Sequence, residues 1–256
     1  MAKQVCESCK ASVGLLQQIK MMDGKYICRK CADITHPYFA PASERTFSMY
    51  QEHLKQLEMG KLLYDKLFIP RKKPADKSMK LKKFGGGCIE VANDIGLMAL
   101  VAKRGGFLFW GGENYYMVFR LGDLYKYDYS CMLTGGSDSR GKSNKKDFIN
   151  LGFWDTTGCD EVKIEMPYDS SVVDAAKYFD QCFGLKRDYK AMFSVWKNQI
   201  GDLKKAFQKV KTSFSGKTDE SEDSAKHLTQ AERFQRYGDR TEWLAKADAA
   251  IKSALG

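Results

Sequence analysis

Hydrophobic and polar positions divide this chain into stretches of different period. Between Ser43 and Leu57 the apolar residues Phe47, Tyr50, Leu54 and Leu57 recur at steps of three and four, which makes one helical face. Gly60 is expected to interrupt that helix, and Pro70 to end the apolar stretch Leu62–Ile69. From about Met79 to Met166 the pattern changes to short strand-like runs separated by glycine-rich turns. Cys88–Val91 and Ile95–Ala102, joined at Asn93-Asp94, read as a hairpin. Phe107–Trp110, Tyr115–Arg120, Tyr125–Leu133, Phe148–Trp154 and Val162–Met166 bring the total to about seven strands. Asp169 and Ser170 then cap a helix with Val173, Ala176, Phe179 and Phe183 on one side, and Gly184 stops it.

The last part of the chain is helical. Tyr189, Phe193, Trp196, Ile200, Leu203, Phe207, Val210 and Phe214 alternate by four and three residues, a heptad-like seam on an amphipathic helix over 186–214. Its bulky aromatics favour internal packing over a two-stranded coiled coil. Ser213–Ser224 is a polar linker. Thr229 with Glu232, and Asp239 with Glu242, mark the starts of a helical pair within 215–256. Strands followed by helices predict an α+β chain: a helical connector over 35–70, then an antiparallel β-domain over 71–185 covered by its C-terminal helix.

Ahead of all this, residues 1–34 carry the strongest chemical signal. Cys6 and Cys9, then Cys28 and Cys31, form two CxxC pairs separated by eighteen residues. Ligand type, number and spacing together fit four thiolates on one tetrahedral Zn2+ ion, with Asp23-Gly24 turning a hairpin between the pairs. So small a module needs the metal to fold, and is expected to stand apart from the β-domain. His36, five residues after Cys31, is a spare ligand. With four cysteines in place it reads as a solvent-exposed histidine before Pro37.

The stretch Cys6-Glu-Ser-Cys9, Gly14-Leu15-Leu16 and Asp23-Gly24-Lys25-Tyr26-Ile27-Cys28-Arg29-Lys30-Cys31 resembles an uncharacterised bacterial zinc-ribbon family. Proteins of that kind often continue into a PH-like, GRAM-like β-barrel. Lys83–Val91, Tyr116–Tyr129 and the strand plus helix at 162–183 look like such a barrel. The resemblance implies a fold, with no activity to carry over.

Charge and the remaining motifs narrow the function less. The formal charge is +10, from 42 Lys and Arg against 32 Asp and Glu, which favours phosphate, nucleic acid or anionic lipid without choosing among them. Arg71–Lys83 concentrates seven of the basic residues around one acid, and reads as a solvated face or a phosphate contact. Cys88, Cys131, Cys159 and Cys182 lack CxxC spacing and read as small core residues in a reducing compartment. Gly136-Ser-Asp-Ser-Arg-Gly141-Lys142-Ser143 fits the phosphate-loop pattern GxxxxGK[ST]. No βαβ unit surrounds it, so it reads as a polar hairpin loop. Gly85-Gly86-Gly87 reads as a turn, and the aromatics Phe107, Phe109, Trp110, Tyr115 and Tyr116 as core rather than base-stacking residues. No apolar run approaches the roughly 18–20 residues that span a bilayer, and the N-terminus lacks the apolar core of a secretory signal, so a cytoplasmic location is expected.

These features lead to a non-catalytic, zinc-binding adaptor that contacts other proteins through the β-domain. A nucleic-acid-binding ribbon using the basic segments is the alternative. An NTPase working through residues 136–143 is the reading the sequence disfavours.

Overall fold

The computed structural model describes residues 4–39, 41–104, 112–137, 143–154, 161–166, 169–186 and 228–256. Strands β1 (Gln4–Val5) and β2 (Ser12–Val13) pair antiparallel, as do β3 (Gln18–Lys20) and β4 (Tyr26–Cys28). Helix α1 (Arg29–Asp33) follows directly. Val13, Met21 and Ile27 are the buried aliphatic side chains here, too few to make a core alone. The missing apolar surface comes from Phe47 and Tyr50, at the start of helix α2 (Phe47–Leu63).

Helix α2 begins at Phe47, where Thr46 accepts a hydrogen bond from the Met49 N–H. Gly60 does not interrupt it. The helix runs through that position because Gly60 lies against the backbone of Tyr116, where a Cβ would strike the Tyr116 carbonyl oxygen. The glycine therefore sets how closely α2 approaches the sheet. A wider helical turn, Tyr64–Phe68, extends α2 as far as Pro70, and Tyr64 stacks on Tyr116 with ring centroids 3.9 Å apart.

The β-domain consists of two antiparallel meanders. The first orders β5 (Lys82–Phe84), β6 (Ile89–Ala92), β7 (Leu97–Arg104) and β8 (Glu113–Arg120). The second orders β9 (Leu124–Ser137), β10 (Ser143–Phe153) and β11 (Glu161–Met166). The expected barrel does not close: the hydrogen-bonded ladders end at β8 and β9, and the buried turn Leu121–Asp123 carries the chain from one sheet to the other. Side chains bridge the sheets instead. Phe119 stacks on Phe153 at 3.9 Å, and Ile89, Val91, Met98, Leu100 and Met117 share a core with Ile149, Leu151, Val162 and Ile164.

Helix α3 (Asp169–Phe183) adds Val172, Ala175, Ala176, Phe179 and Phe183 to that core. Val172, not Val173, is the buried valine. The opposite face of the first sheet, with Ala92, Leu97 and Ala99, is covered by Tyr64, Phe68 and Ala247. Coverage on both faces explains why Leu97–Ala102 reads as a continuous apolar run without polar alternation.

Helices α4 (Gln230–Tyr237) and α5 (Thr241–Leu255) close the chain. Thr229 and Glu232 form the expected capping box, and Asp239 accepts from the Thr241 N–H at the second helix start. Gly96, at φ +62°, lies under α5 where a Cβ would meet the Trp243 carbonyl. The heptad seam Tyr189–Phe214, the linker after it, Phe107–Trp110 and Cys159 lie outside the described residues.

Candidate metal centre

The two CxxC turns bring Cys6, Cys9, Cys28 and Cys31 together with all four sulfurs within 4.8 Å of one another. The first turn is a knuckle in which the Cys6 N–H donates to Ala11 O at 2.9 Å and the Lys10 N–H to Cys6 O at 2.8 Å. Lys10 takes φ +60° to close it. In the second turn Cys28 caps α1, its Sγ accepting from the Cys31 N–H at 3.4 Å. The Cys28 N–H in turn donates to Cys6 Sγ at 3.2 Å, an N–H···S bond between the two knuckles.

The separations suit a tetrahedral metal. Metal–sulfur bonds of about 2.3 Å give sulfur–sulfur edges of about 3.8 Å in a tetrahedral zinc–thiolate centre. Cys6–Cys31 and Cys9–Cys28 both stand at 3.8 Å. Among the described residues this is the one group of His, Cys, Asp or Glu side chains placed to hold a metal ion. Protonation states across the cluster are uneven. Burial pushes the Cys6 thiol up, but the N–H groups of Cys9, Cys28 and Ser8 and the Cys9 thiol outweigh it and bring Cys6 down to about 6. Burial carries Cys31 the other way, to about 12. A divalent cation held by the four cysteines would resolve this conflict by replacing the thiol protons.

Sequence spacing found the four sulfurs but not what holds them. Tyr50 on α2 donates its hydroxyl to Cys31 O at 3.0 Å and meets Ser8 Oγ at 3.3 Å. Asp23, at the tip of the β3–β4 turn, accepts from the Phe47 N–H at 3.1 Å, so the cysteine module helps to cap α2. On the far side, Asp33 at the end of α1 pairs with Arg104 of β7 at 3.7 Å, and its carbonyl accepts from the Tyr115 hydroxyl at 3.4 Å. The expectation of a module standing apart is therefore corrected. It is clasped between α2 and the β7–β8 hairpin.

His36 is neither a ligand nor exposed. Its side chain is wholly buried, contrary to the sequence reading, because the chain after α1 turns inward against β7. Its Nδ1 accepts from the Tyr38 N–H at 3.2 Å, so the proton sits on Nε2, which donates to Leu100 O at 3.3 Å. The His36 N–H donates to His53 Nε2 at 3.0 Å. Burial, helped by the His53 and Arg104 charges, lowers His36 to about 3, and burial lowers His53 to about 4. Both rings are therefore neutral pins. The signal available in the sequence was that His53 falls on the same helical face as Tyr50 and Leu57.

The remaining candidates divide. Arg71 is buried and grips Asp94 through Nε and Nη2 at 2.9 and 2.6 Å, and Lys83 pairs with buried Glu90 at 2.8 Å. Lys72, Lys73, Lys77, Lys80 and Lys82 stay exposed. At the phosphate-loop match, Gly136 and Ser137 end β9, and Ser143 opens β10 opposite Ser137 in an antiparallel ladder. The helix that such a loop requires is replaced by a strand. Cys88 and Cys182 are half-buried free thiols packed against the main core. Tyr116 is held by Tyr64, and Tyr115 lies beneath Arg104. No helix among the described residues is long and apolar enough to cross a membrane. Compared with family models, curated proteins and solved structures, the chain matches none of them.

Proposed function

We propose that this chain is a non-catalytic, zinc-stabilised adaptor whose ribbon and PH-like β-domain contact a protein partner. The donor set carries the reading. Four thiols fill every position of a tetrahedral ion and leave none for water or substrate, so bound zinc would hold structure rather than do chemistry. The PH-like assignment is supported by four antiparallel strands, then three, then α3 packed on the shared core. Leu15, Leu16 and Met22 are 60%, 85% and 67% exposed on the module and offer it an apolar contact surface.

A double variant Leu15→Ser/Leu16→Ser tests this, since neither residue supports the core. Cross-linking followed by mass spectrometry is expected to capture a protein with the native chain and to lose it at least tenfold with the variant, at unchanged metal content. The five exposed lysines between Lys72 and Lys82 favour nucleic acid as the second reading. Tight RNA or DNA binding that weakens steeply with salt and disappears on replacing those lysines would displace the adaptor reading.

A further inference from the structure

The four sulfurs are alike in chemistry but not in access. Cys6 is wholly buried and Cys31 is 8% exposed, lying beneath the Tyr50 hydroxyl that binds its carbonyl. Cys28 is 9% exposed at the start of α1, whereas Cys9 is exposed to solvent. All four sulfurs lie within 4.8 Å of one another, and two contacts cross between the knuckles at 3.8 Å: Cys6–Cys31, between two buried thiols, and Cys9–Cys28, which joins the exposed cysteine to the one at the start of α1.

We propose that Cys9 is an oxidation site at which a hydroperoxide opens the metal centre, and that the product is a Cys9–Cys28 disulfide. The inference rests on the metal-centre reading above. The Cys9 thiolate attacks the terminal peroxide oxygen, the O–O bond breaks, and Cys9 becomes a sulfenic acid as alkoxide or hydroxide leaves and takes a proton from solvent. The Cys28 thiolate then attacks the Cys9 sulfur, an S–S bond forms, the S–OH bond breaks, and hydroxide leaves to take up a proton. Two thiolates lose two electrons in all, and one peroxide is reduced. Cys6 and Cys31 alone cannot retain the ion, so the metal departs while those two remain thiols.

The consequence reaches beyond the cluster. Cys28 Sγ caps α1 through the Cys31 N–H, and the far end of α1 is where Asp33 meets Arg104 and Tyr115. Drawing Cys28 outward to Cys9 removes that cap, and with it the anchor of α1 on the β7–β8 hairpin.

The experiment uses the full chain loaded with Zn2+. Elemental analysis comes first, and a chain that holds no stoichiometric metal overturns both this proposal and the metal-centre reading. The loaded protein is then titrated with hydrogen peroxide beside a chromogenic chelator, and the disulfide is located by peptide mass spectrometry under alkylation. Expected are release of about one ion per peroxide consumed, a Cys9–Cys28 crosslink, and alkylation of Cys6 and Cys31 on unfolding. A variant Cys9→Ser is expected to slow release at least tenfold. If that variant holds no metal, the crosslink map on the unaltered chain decides. A Cys6–Cys9 or Cys28–Cys31 crosslink, or metal retained after peroxide is consumed, overturns the oxidation site and leaves the metal centre standing.

Discussion

The cysteine module and the two-sheet domain solve the same problem, order without enough core, in opposite ways. The sheets share one continuous apolar interior, from Ile89 on β6 through Phe119 and Phe153 to Phe179 on α3. The module buries Val13, Met21, Ile27 and three of its four cysteines, and must borrow Phe47 and Tyr50 from α2. One region is held by area removed from water. The other is held by directed bonds to Phe47 and Tyr50 of α2 and to Arg104 of β7, around four thiols placed to hold a metal ion. The difference teaches where each is vulnerable: the sheets to changes of volume, the module to loss of single atoms.

The largest effect should come from breaking the module at its sulfurs. Cys28→Ser/Cys31→Ser removes two of four ligands and forfeits the metal's contribution to folding, on the order of 10 kcal/mol for structural zinc sites. Elemental analysis should find the metal gone, and tryptophan fluorescence should report a β-domain that still unfolds cooperatively. Next comes Gly60→Ala, which pushes α2 away from β8 by placing a methyl against the Tyr116 carbonyl. Overpacking of this kind costs about 1–3 kcal/mol, to be read as a shift in the urea midpoint at constant slope.

That glycine also marks how far the sequence could be read. Local signals were legible: the CxxC pairs, the Asn93-Asp94 turn and the Thr229–Glu232 capping box each depend on neighbours in the chain. Gly60 looks like a helix interruption in the sequence because its partner, Tyr116, lies on another element. His36 looks exposed for the same reason, since the carbonyl that holds it belongs to Leu100. The barrel closure is not legible, because strand order does not say whether the last ladder closes. The turn Leu121–Asp123 decides that through tertiary packing. Of the candidate site, the ligands were visible in the sequence, and the clasp formed by Tyr50, Asp23 and Asp33 was not.

Acid provides a gentler probe of the clasp. His36 and His53 titrate in the fold near 3 and 4, below the value of about 6.5 expected unfolded. Between those limits the unfolded chain binds more protons, so stability falls as pH drops below about 6.5 and levels off below the folded values. Each histidine contributes a slope of about 1.4 kcal/mol per pH unit within that window. Urea titrations from pH 7 to 5 should show the loss, and His36→Gln should flatten its pH dependence. The smallest effect is expected from Asp23→Ala, which strips one N–H acceptor from the start of α2 and costs about 1 kcal/mol. It should lower the stability of the intact protein while leaving metal stoichiometry at one.

The central claim is that the metal centre is structural and is built into α2 and the β7–β8 hairpin rather than tethered beside them. Hydrogen exchange measured by mass spectrometry, on the metal-loaded chain and after chelation, tests it most directly. The account predicts that chelation removes protection from residues 4–34, from the first turns of α2 around Phe47–Leu54, and from the ends of β7 and β8 near Arg104 and Tyr115, while β9–β11 and α3 keep theirs. Exchange that changes only within residues 4–34, or not at all, would contradict it.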